Sequence, residues 1–433
     1  MHGMIRLFHQ RQPLIGGWTA TERRVWRGFS STSTCLGLNV LFFGTDDFAA
    51  KALKALAEDR KSENPIVSKL AVVRRATQYH RTKTNKGKPK IIWRAATDPV
   101  AARYRLETYD APDVLKGWVA PLVEDKETGS SSPYDIGVVA SFGKYISGKV
   151  IESFPKGMIN VHPSLLPKYR GPSPIQTAIL EGVKDTGLTI QEVHPTVMDG
   201  GKILAQIPYQ INDRAKYPEV AVELGKQGGA LAVQVLSNLD TVRRRAQEQD
   251  KLQVTLTRLY TRFDQQITWE RMTADEIERK HRAFYMQEPV YTFLRVKNKN
   301  HQVQFLELTK ADPSMAPIRE DYLDFPPGTV FFKKKVPYIE LHCIDGSRIR
   351  VTRFRVSGKA DRDTFQFAAG YYDKKRGSRF LSVGADTRRP TPPFVYPAGY
   401  TRPVIEAKWA AGQKKSKGEI KSAEQEQEKE KAE

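Results

Sequence analysis

The sequence predicts an α/β protein: a Rossmann-like open, mostly parallel sheet followed by a small all-β, OB-like barrel. Three observations lead there. Apolar runs alternate with helical segments through the first half of the chain. Short strands separated by turn residues follow Val290. At 433 residues the chain is also too long for one ordinary core.

Taken in order, 38–43 is a nearly continuous apolar run, Gly44 and Thr45 turn the chain, and 48–57 has helical spacing. Strand 67–73 and helix 98–105 make a second unit, then strand 134–140, helix 144–151 and strand 157–161 a third. Segment 172–180 reads as a helix entered through prolines, 188–193 and 202–209 as strands, and 219–245 as one long amphipathic helix. Thr273-Ala274-Asp275-Glu276 is a capping box opening a helix to about Phe284. Beyond it, 290–296, 302–308, 328–332, 336–343 and 348–354 read as strands with no comparable helices between them. The expected divisions are a leader at 1–29, a catalytic domain at 38–248, a linker with a helix at 249–285, the barrel at 286–404 and a charged tail at 405–433.

Lys and Arg number 70 against 49 Asp and Glu, a net charge of +21 that favours a polyanionic partner such as nucleic acid. The two cysteines, Cys35 and Cys343, exclude a disulfide framework and a Cys-based zinc site, and no metal is expected. No apolar run reaches the roughly eighteen residues of a spanning helix, so no membrane role is expected. Arg6, Arg11, Arg23, Arg24 and Arg27 against the single acid Glu22 give the first thirty residues the composition of an organellar transit peptide. Arg27-Gly28-Phe29-Ser30-Ser31 resembles a mitochondrial processing site cut after Phe29, so the expected location is the mitochondrial matrix.

Asn160 and His162 alternate with Ile159 and Val161, which puts the amide and the imidazole on one face of an extended strand. Pro163 and Pro167 end that strand, fixing the pair at the exit of the sheet, where sites in such folds lie. An amide donor and a group that shuttles protons near neutral pH suit an oxyanion formed by attack on a carbonyl. No motif presents a protein nucleophile, so direct attack by a bound substrate is the simpler chemistry. Asp199, before Gly200 and Gly201 at a strand-to-loop junction, is the best partner for His162.

Asn160-x-His162-Pro163-Ser164-Leu165-Leu166-Pro167, followed by Asp199-x-Gly201, resembles the formyltetrahydrofolate-dependent formyltransferases. Phe43-Gly44-Thr45-x-x-Phe48 and Arg170-Gly171-x-x-Pro174-Ile175-Gln176 narrow the resemblance to those acting on methionyl-tRNA, over about 38–370. Trp269 and Arg282-Ala283-Phe284 in the linker belong to the same pattern. The Ser-Leu-Leu-Pro element is shared with glycinamide ribonucleotide formyltransferase, so it identifies the donor better than the acceptor. The resemblance implies Asn160, His162 and Asp199 as the catalytic trio. It also implies 10-formyltetrahydrofolate as donor, held by Phe142, Gly143, Ser164, Leu165, Leu166 and Pro167. Initiator methionyl-tRNA is the implied acceptor, and a monomer is expected.

Between Glu63 and Asp98 there is no acid, and Arg74, Arg75, Arg81, Lys83, Lys86 and Lys88 make that stretch a candidate phosphate-binding loop; the resemblance implies a base-reading arginine there, Arg75 or Arg81. In the barrel, Lys333, Lys334 and Lys335 lie at a turn, and Arg348 and Arg350 share one face of a strand. The other readings are a formyltransferase acting on a small amine or sugar nucleotide, a formyltetrahydrofolate hydrolase, and an RNA-binding protein with a vestigial folate site.

Overall fold

The computed structural model describes residues 37–80, 90–112, 118–124, 129–285, 289–296, 299–312, 326–372, 378 and 380–382. The leader, Cys35, the loop bases Arg81, Lys83, Lys86 and Lys88, the barrel's last stretch and the charged tail lie outside the described residues.

The first domain is built on one sheet. Its strands include β1 (Leu38–Gly44) and β2 (Val67–Arg75), and a hairpin of β3 (Gln78–His80) and β4 (Lys90–Trp93) follows. Next come β5 (Glu107–Ala111), a small hairpin of β6 (Leu122–Glu124) and β7 (Ser131–Pro133), then β8 (Ile136–Ala140), β9 (Met158–His162), β10 (Asp185–Glu192) and β11 (Ile203–Gln210). The sheet order is β11-β10-β9-β8-β1-β2-β5. Pairings from β9 to β5 are parallel, and β10 and β11 join antiparallel. β1 explains why the sheet is covered on both faces. Val40 and Phe42 pack into one core, and Leu41 and Phe43 into the other, all at zero exposure. Such a central strand must read as a continuous apolar run.

Helix α1 (Asp47–Asp59) starts where Asp46 accepts the Ala49 amide at 2.9 Å, and buries Phe48, Leu53 and Leu56. Helices α2 (Asp98–Tyr104), α3 (Gly148–Glu152) and α4 (Pro174–Glu181) precede the long α5 (Tyr217–Ser237) and short α6 (Leu239–Arg244). The sequence reads α5 and α6 as one helix. The chain breaks at Ser237-Asn238, two residues whose side chains compete for backbone bonds. Helix α3 is shorter than expected because Lys144 to Ser147 form a loop, with the Lys144 ammonium on the Pro112 carbonyl and the Tyr145 hydroxyl on the Pro195 carbonyl. Strand β5 on the sheet edge, with four of its five residues not buried, had no apolar signature to announce it.

α5 lies unusually close to α1. A Cβ at Gly225 would stand 2.6 Å from the Phe48 carbonyl oxygen, and one at Gly229 would stand 2.8 Å from the Ala52 oxygen. Two glycines one helical turn apart therefore let the backbones touch.

The second domain curls an antiparallel sheet onto itself. Its strands are β12 (Tyr291–Val296), β13 (Lys299–Lys310), β14 (Val330–Phe332), β15 (Ile339–His342), β16 (Arg348–Val356), β17 (Asp361–Asp363) and β18 (Phe380–Leu381). The order is β14-β15-β16-β13-β12-β18, with β17 beside β16. Backbone bonds from Phe380 to Gly328 at 2.9 Å and from Val330 to Ser378 at 3.0 Å bring the two ends together. Helix α7 (Ala274–Ala283) begins at the expected capping box, with Thr273 and Glu276 bonded reciprocally. Helix α8 (Thr364–Tyr371) follows the strands that the sequence predicts. Asp363 caps it and Gln366 returns the bond, a capping box in a segment whose aromatics resemble strand residues.

The 249–285 segment divides its side chains between the two cores. Ile267, Trp269, Ala274 and Ile277 belong to the barrel, and Ala283 and Phe284 to the first domain. Trp269 is fully buried, its indole N–H on Thr292 at 2.7 Å.

Gly229→Leu is expected to lower stability by about 2–3 kcal/mol, because overpacking forces α5 off α1. Denaturant melts of this variant beside the exposed Lys226→Ala test it; equal midpoints would contradict the close approach. Acid lability is also expected. Burial pushes the His281 imidazole down to about 4, aided by Lys216 and Arg282, and His342 down to about 4, aided by Arg348. Both are held neutral in the fold but protonate near 6.5 when unfolded, so stability is lost as pH falls from about 6.5 towards 4. A loss on the order of 1–2 kcal/mol per histidine at pH 5 follows. Unfolding curves should show a shallower acid slope in the double variant His281→Gln, His342→Gln, and an identical slope would reject this origin.

Candidate active site

At the carboxyl end of β9, Met158, Asn160 and His162 share one face while Ile159 and Val161 enter the opposite core. β10 runs antiparallel beside it, placing Gln191 opposite Asn160 and Thr189 opposite His162. Directly opposed residues point to the same side, so four polar side chains gather on one face.

The loop after β9 is held from within and from the neighbouring strands. The Ser164 hydroxyl donates to the Lys168 carbonyl at 2.7 Å, and Thr189 donates to the Ser164 carbonyl at 2.7 Å. The Leu166 amide donates to Thr189 Oγ1 at 3.0 Å, Gln206 donates to the Leu166 carbonyl at 2.8 Å, and the Leu166–Pro167 peptide is cis. Thr255 and Thr257 accept the amides of Tyr169 and Ser173. A Cβ at Gly171, whose φ is +114°, would stand 2.7 Å from the Thr257 carbonyl oxygen, so glycine is required there.

These constraints bring the three expected catalytic residues together. Asn160 Nδ2 donates to Asp199 Oδ1 at 3.1 Å, and His162 Nδ1 lies 3.7 Å from the same oxygen. His162 Nε2 lies 3.0 Å from the Tyr169 carbonyl. A carbonyl only accepts, so Nε2 carries a proton and Nδ1 faces the carboxylate. A second proton on Nδ1 turns that approach into an ion pair. The Gly171 amide donates to Asp199 Oδ2 at 2.8 Å. Asp199 has φ +51°, and among the described residues Arg105, Ser141 and Tyr169 are the other non-glycine residues with positive φ. Tyr169, like Asp199, bonds within the trio's surroundings, so local strain is concentrated here. Gly201 makes the close turn possible, since a Cβ on it would stand 1.8 Å from the Glu192 carbonyl oxygen.

A cleft of about 120 Å³ opens onto Asn160 and Asp199, with Val139, Tyr145, Ile146 and Met198 among its walls. A larger hollow of about 800 Å³ lies where the two domains meet, and holds none of the trio. Its mixed lining, Arg214, Arg282 and Arg350 with Glu278 and Glu307, gives it no preference for one sign of charge. Among the described residues no group of three or more His, Cys, Asp or Glu side chains could hold a metal, and no helix is long and apolar enough to cross a membrane.

Several expected contacts fall elsewhere. Phe142 does not face the cleft: its ring is buried edge-to-face against Phe43 at 5.3 Å, and only Gly143 beside it is exposed. Ser164 and Leu166 are buried and shape the loop, whereas Leu165 and Pro167 are half-buried. Arg74 is not a free cation, being clasped by Asp98 at 2.5 Å and by Asp110. Arg348 and Arg350 both grip Glu340 on β15 at 2.9 Å, with Arg348 buried. Sharing a strand face thus serves an internal ion cluster. Lys333, Lys334 and Lys335 are exposed, and Arg75 lies over the Trp93 ring at 5.3 Å. His194 organises its own loop by accepting the Thr196 and Val197 amides.

Gln191 and Gln249 were missed. Gln191 Nε2 donates to Asp199 Oδ1 at 3.0 Å, and Gln249 Nε2 reaches Gln191 Oε1 at 3.1 Å and the carbonyls of Asp199 and Gly201 at 2.8 Å. Alternation with Thr189 opposite the Asn160 strand could have identified Gln191. Nothing local marks Gln249.

With this geometry in place, the profile described as formyl transferase matches residues 38–236, and the one described as formyl transferase, C-terminal domain, matches 261–372. The chain is 33% identical over 310 residues to the mitochondrial methionyl-tRNA formyltransferase of Rattus norvegicus, covering 71% of this chain and 72% of that one. It is 31% identical over 309 residues to the Homo sapiens protein of the same name, covering 71% and 72%. A methionyl-tRNA formyltransferase of Chloroflexus aurantiacus is 34% identical over 258 residues, 60% of this chain and 77% of its own.

Proposed function

The chain belongs to the formyl transferase family, among the methionyl-tRNA formyltransferases, and on that premise we propose how its site works. The activity is formyl transfer to the amino group of methionyl initiator tRNA. The donor we assign is 10-formyltetrahydrofolate, entering beside Gly143, Leu165 and Pro167, and the location is the mitochondrial matrix. The relatives' names and the arginine-rich first thirty residues support that location.

The observation that carries the mechanism is the convergence of Asn160 and His162 on one oxygen of Asp199 at the mouth of the cleft. The methionyl nitrogen attacks the formyl carbon, forming the new C–N bond, and the carbonyl electron pair moves to oxygen. Asn160 keeps a second N–H for the oxyanion, and a protonated His162, its Nδ1–H turned to Asp199, adds its positive charge. Both stabilise that oxyanion as it develops. The electron pair returns, the bond from carbon to N10 breaks, and N10 takes a proton as the amine loses one. Asp199, acceptor-only when ionised, orients His162 and carries that proton between the two nitrogens.

For the tRNA we assign the exposed Lys333, Lys334 and Lys335 and the Arg75–Trp93 pair, with Arg81, Lys83, Lys86 and Lys88 continuing the basic stretch. Arg74, Arg348 and Arg350 are held in ion pairs within the fold and act structurally.

His162→Ala or Asp199→Ala should reduce transfer by about a thousandfold or more, with the His162 variant melting within a few degrees of wild type. The assay is appearance of formylmethionyl-tRNA from 10-formyltetrahydrofolate, with small amines and donor alone as parallel acceptor tests. Undiminished turnover in a folded variant would sink the mechanism, and transfer only to small amines would sink the acceptor. Replacing Lys333, Lys334 and Lys335 by Ala together should flatten the log Kd versus log salt slope for tRNA by about 1–3 and leave the folate KM unchanged. An unaltered slope would remove these lysines from the tRNA path.

A further inference from the structure

Two buried glutamines behind Asp199 and the part-buried Arg170 form a chain of hydrogen bonds whose direction is fixed at its far end. Arg170 Nε donates to Gln249 Oε1 at 2.9 Å. A guanidinium has no acceptor, so Gln249 must present its carbonyl oxygen to Arg170 and its NH₂ to the opposite side. There Gln249 Nε2 meets Gln191 Oε1 at 3.1 Å, which turns the NH₂ of Gln191 onto Asp199 Oδ1 at 3.0 Å. The two glutamines are 1% and 7% exposed, so water does not substitute for either partner. The same Gln249 nitrogen lies 2.8 Å from the carbonyls of Asp199 and Gly201, bracketing the residue whose φ is +51°.

We propose that Gln249, acting through Gln191, is a positioning residue for the transfer reaction, holding the Asp199 carboxylate and its strained backbone in the orientation that His162 and Asn160 require. This rests on the assignment of Asp199 to proton transfer. Gln249 touches neither substrate nor the reacting atoms; it acts through the carboxylate, as outer-shell partners of reactive groups do. It also belongs to the segment that leads into the barrel, so the polar frame of the site is closed only when that segment is docked.

The test is made on the full chain. Gln249→Met keeps the volume and removes the polarity. Assayed below the variant's melting transition, it should lower kcat by about 10–100-fold, with KM for 10-formyltetrahydrofolate and methionyl-tRNA within about threefold. Gln191→Met should behave alike, and the double variant should be no worse than the poorer single, since one chain is cut twice. Exchange at the Gly171 amide, bonded to Asp199 Oδ2 at 2.8 Å, should speed up by about tenfold in either variant. A kcat within twofold of wild type, losses confined to KM, or multiplying losses in the double variant would overturn the relay. Unchanged Gly171 exchange would overturn it even if the wild-type protein formylated nothing, an outcome that would separately refute the functional assignment.

Discussion

One carboxylate organises the catalytic end of this molecule. Asp199 collects an amide from β9, an amide from β10 and a backbone N–H from the loop after β9, with the His162 ring 3.7 Å away. It does so from a left-handed backbone that a non-glycine residue reaches only at a cost of about 1–3 kcal/mol. The surrounding bonds over-determine that conformation. Remove the carboxylate and Asn160, Gln191 and Gly171 each lose an acceptor in a largely buried place, where an unmade hydrogen bond costs more than a made one contributes.

The sheet makes such convergence possible. β9 ends a run of parallel strands, so its carboxyl end is open, while β10 returns antiparallel and brings its own side chains to the same edge. A purely parallel neighbour would have carried its polar residues past the edge into a following loop. Here Gln191 stays within a strand whose register is fixed by hydrogen bonds on both sides. The trio thus combines rigid strand positions, Asn160 and His162, with one loop position, Asp199, that the strands hold.

Most of the architecture was legible because burial leaves a period in the sequence. The apolar run of β1 and the alternation of Asn160 and His162 both record which face meets which core. What escaped had no such record. β5 is an edge strand with little to bury, and α8 carries the aromatics of a strand on a helix set by its cap. Charge was the least legible feature. A net charge of +21 says that cations are abundant, but whether Arg350 faces a phosphate or Glu340 depends on the residue across the ladder. Gln249 lies 58 residues from Gln191, and only the fold makes them neighbours.

The segment after α6 is therefore more than a spacer. Gln249 closes the frame behind Asp199, Thr255 and Thr257 brace the loop that supplies the Tyr169 carbonyl and the Gly171 amide, and Trp269 is then sealed in the other core. Further on, α7 places Ala274 and Ile277 in the barrel, and Ala283 and Phe284 in the first domain, where Phe284 packs edge-to-face on Tyr260 at 5.3 Å. Two fully buried ends fix this stretch of chain, so it cannot swing as a free hinge without exposing apolar surface worth about 1.5–3 kcal/mol for each large side chain. The barrel and a small carboxylate in the first domain are thereby joined by one packed segment. The geometry of the reaction is tied to the geometry of docking through side chains rather than through distance alone.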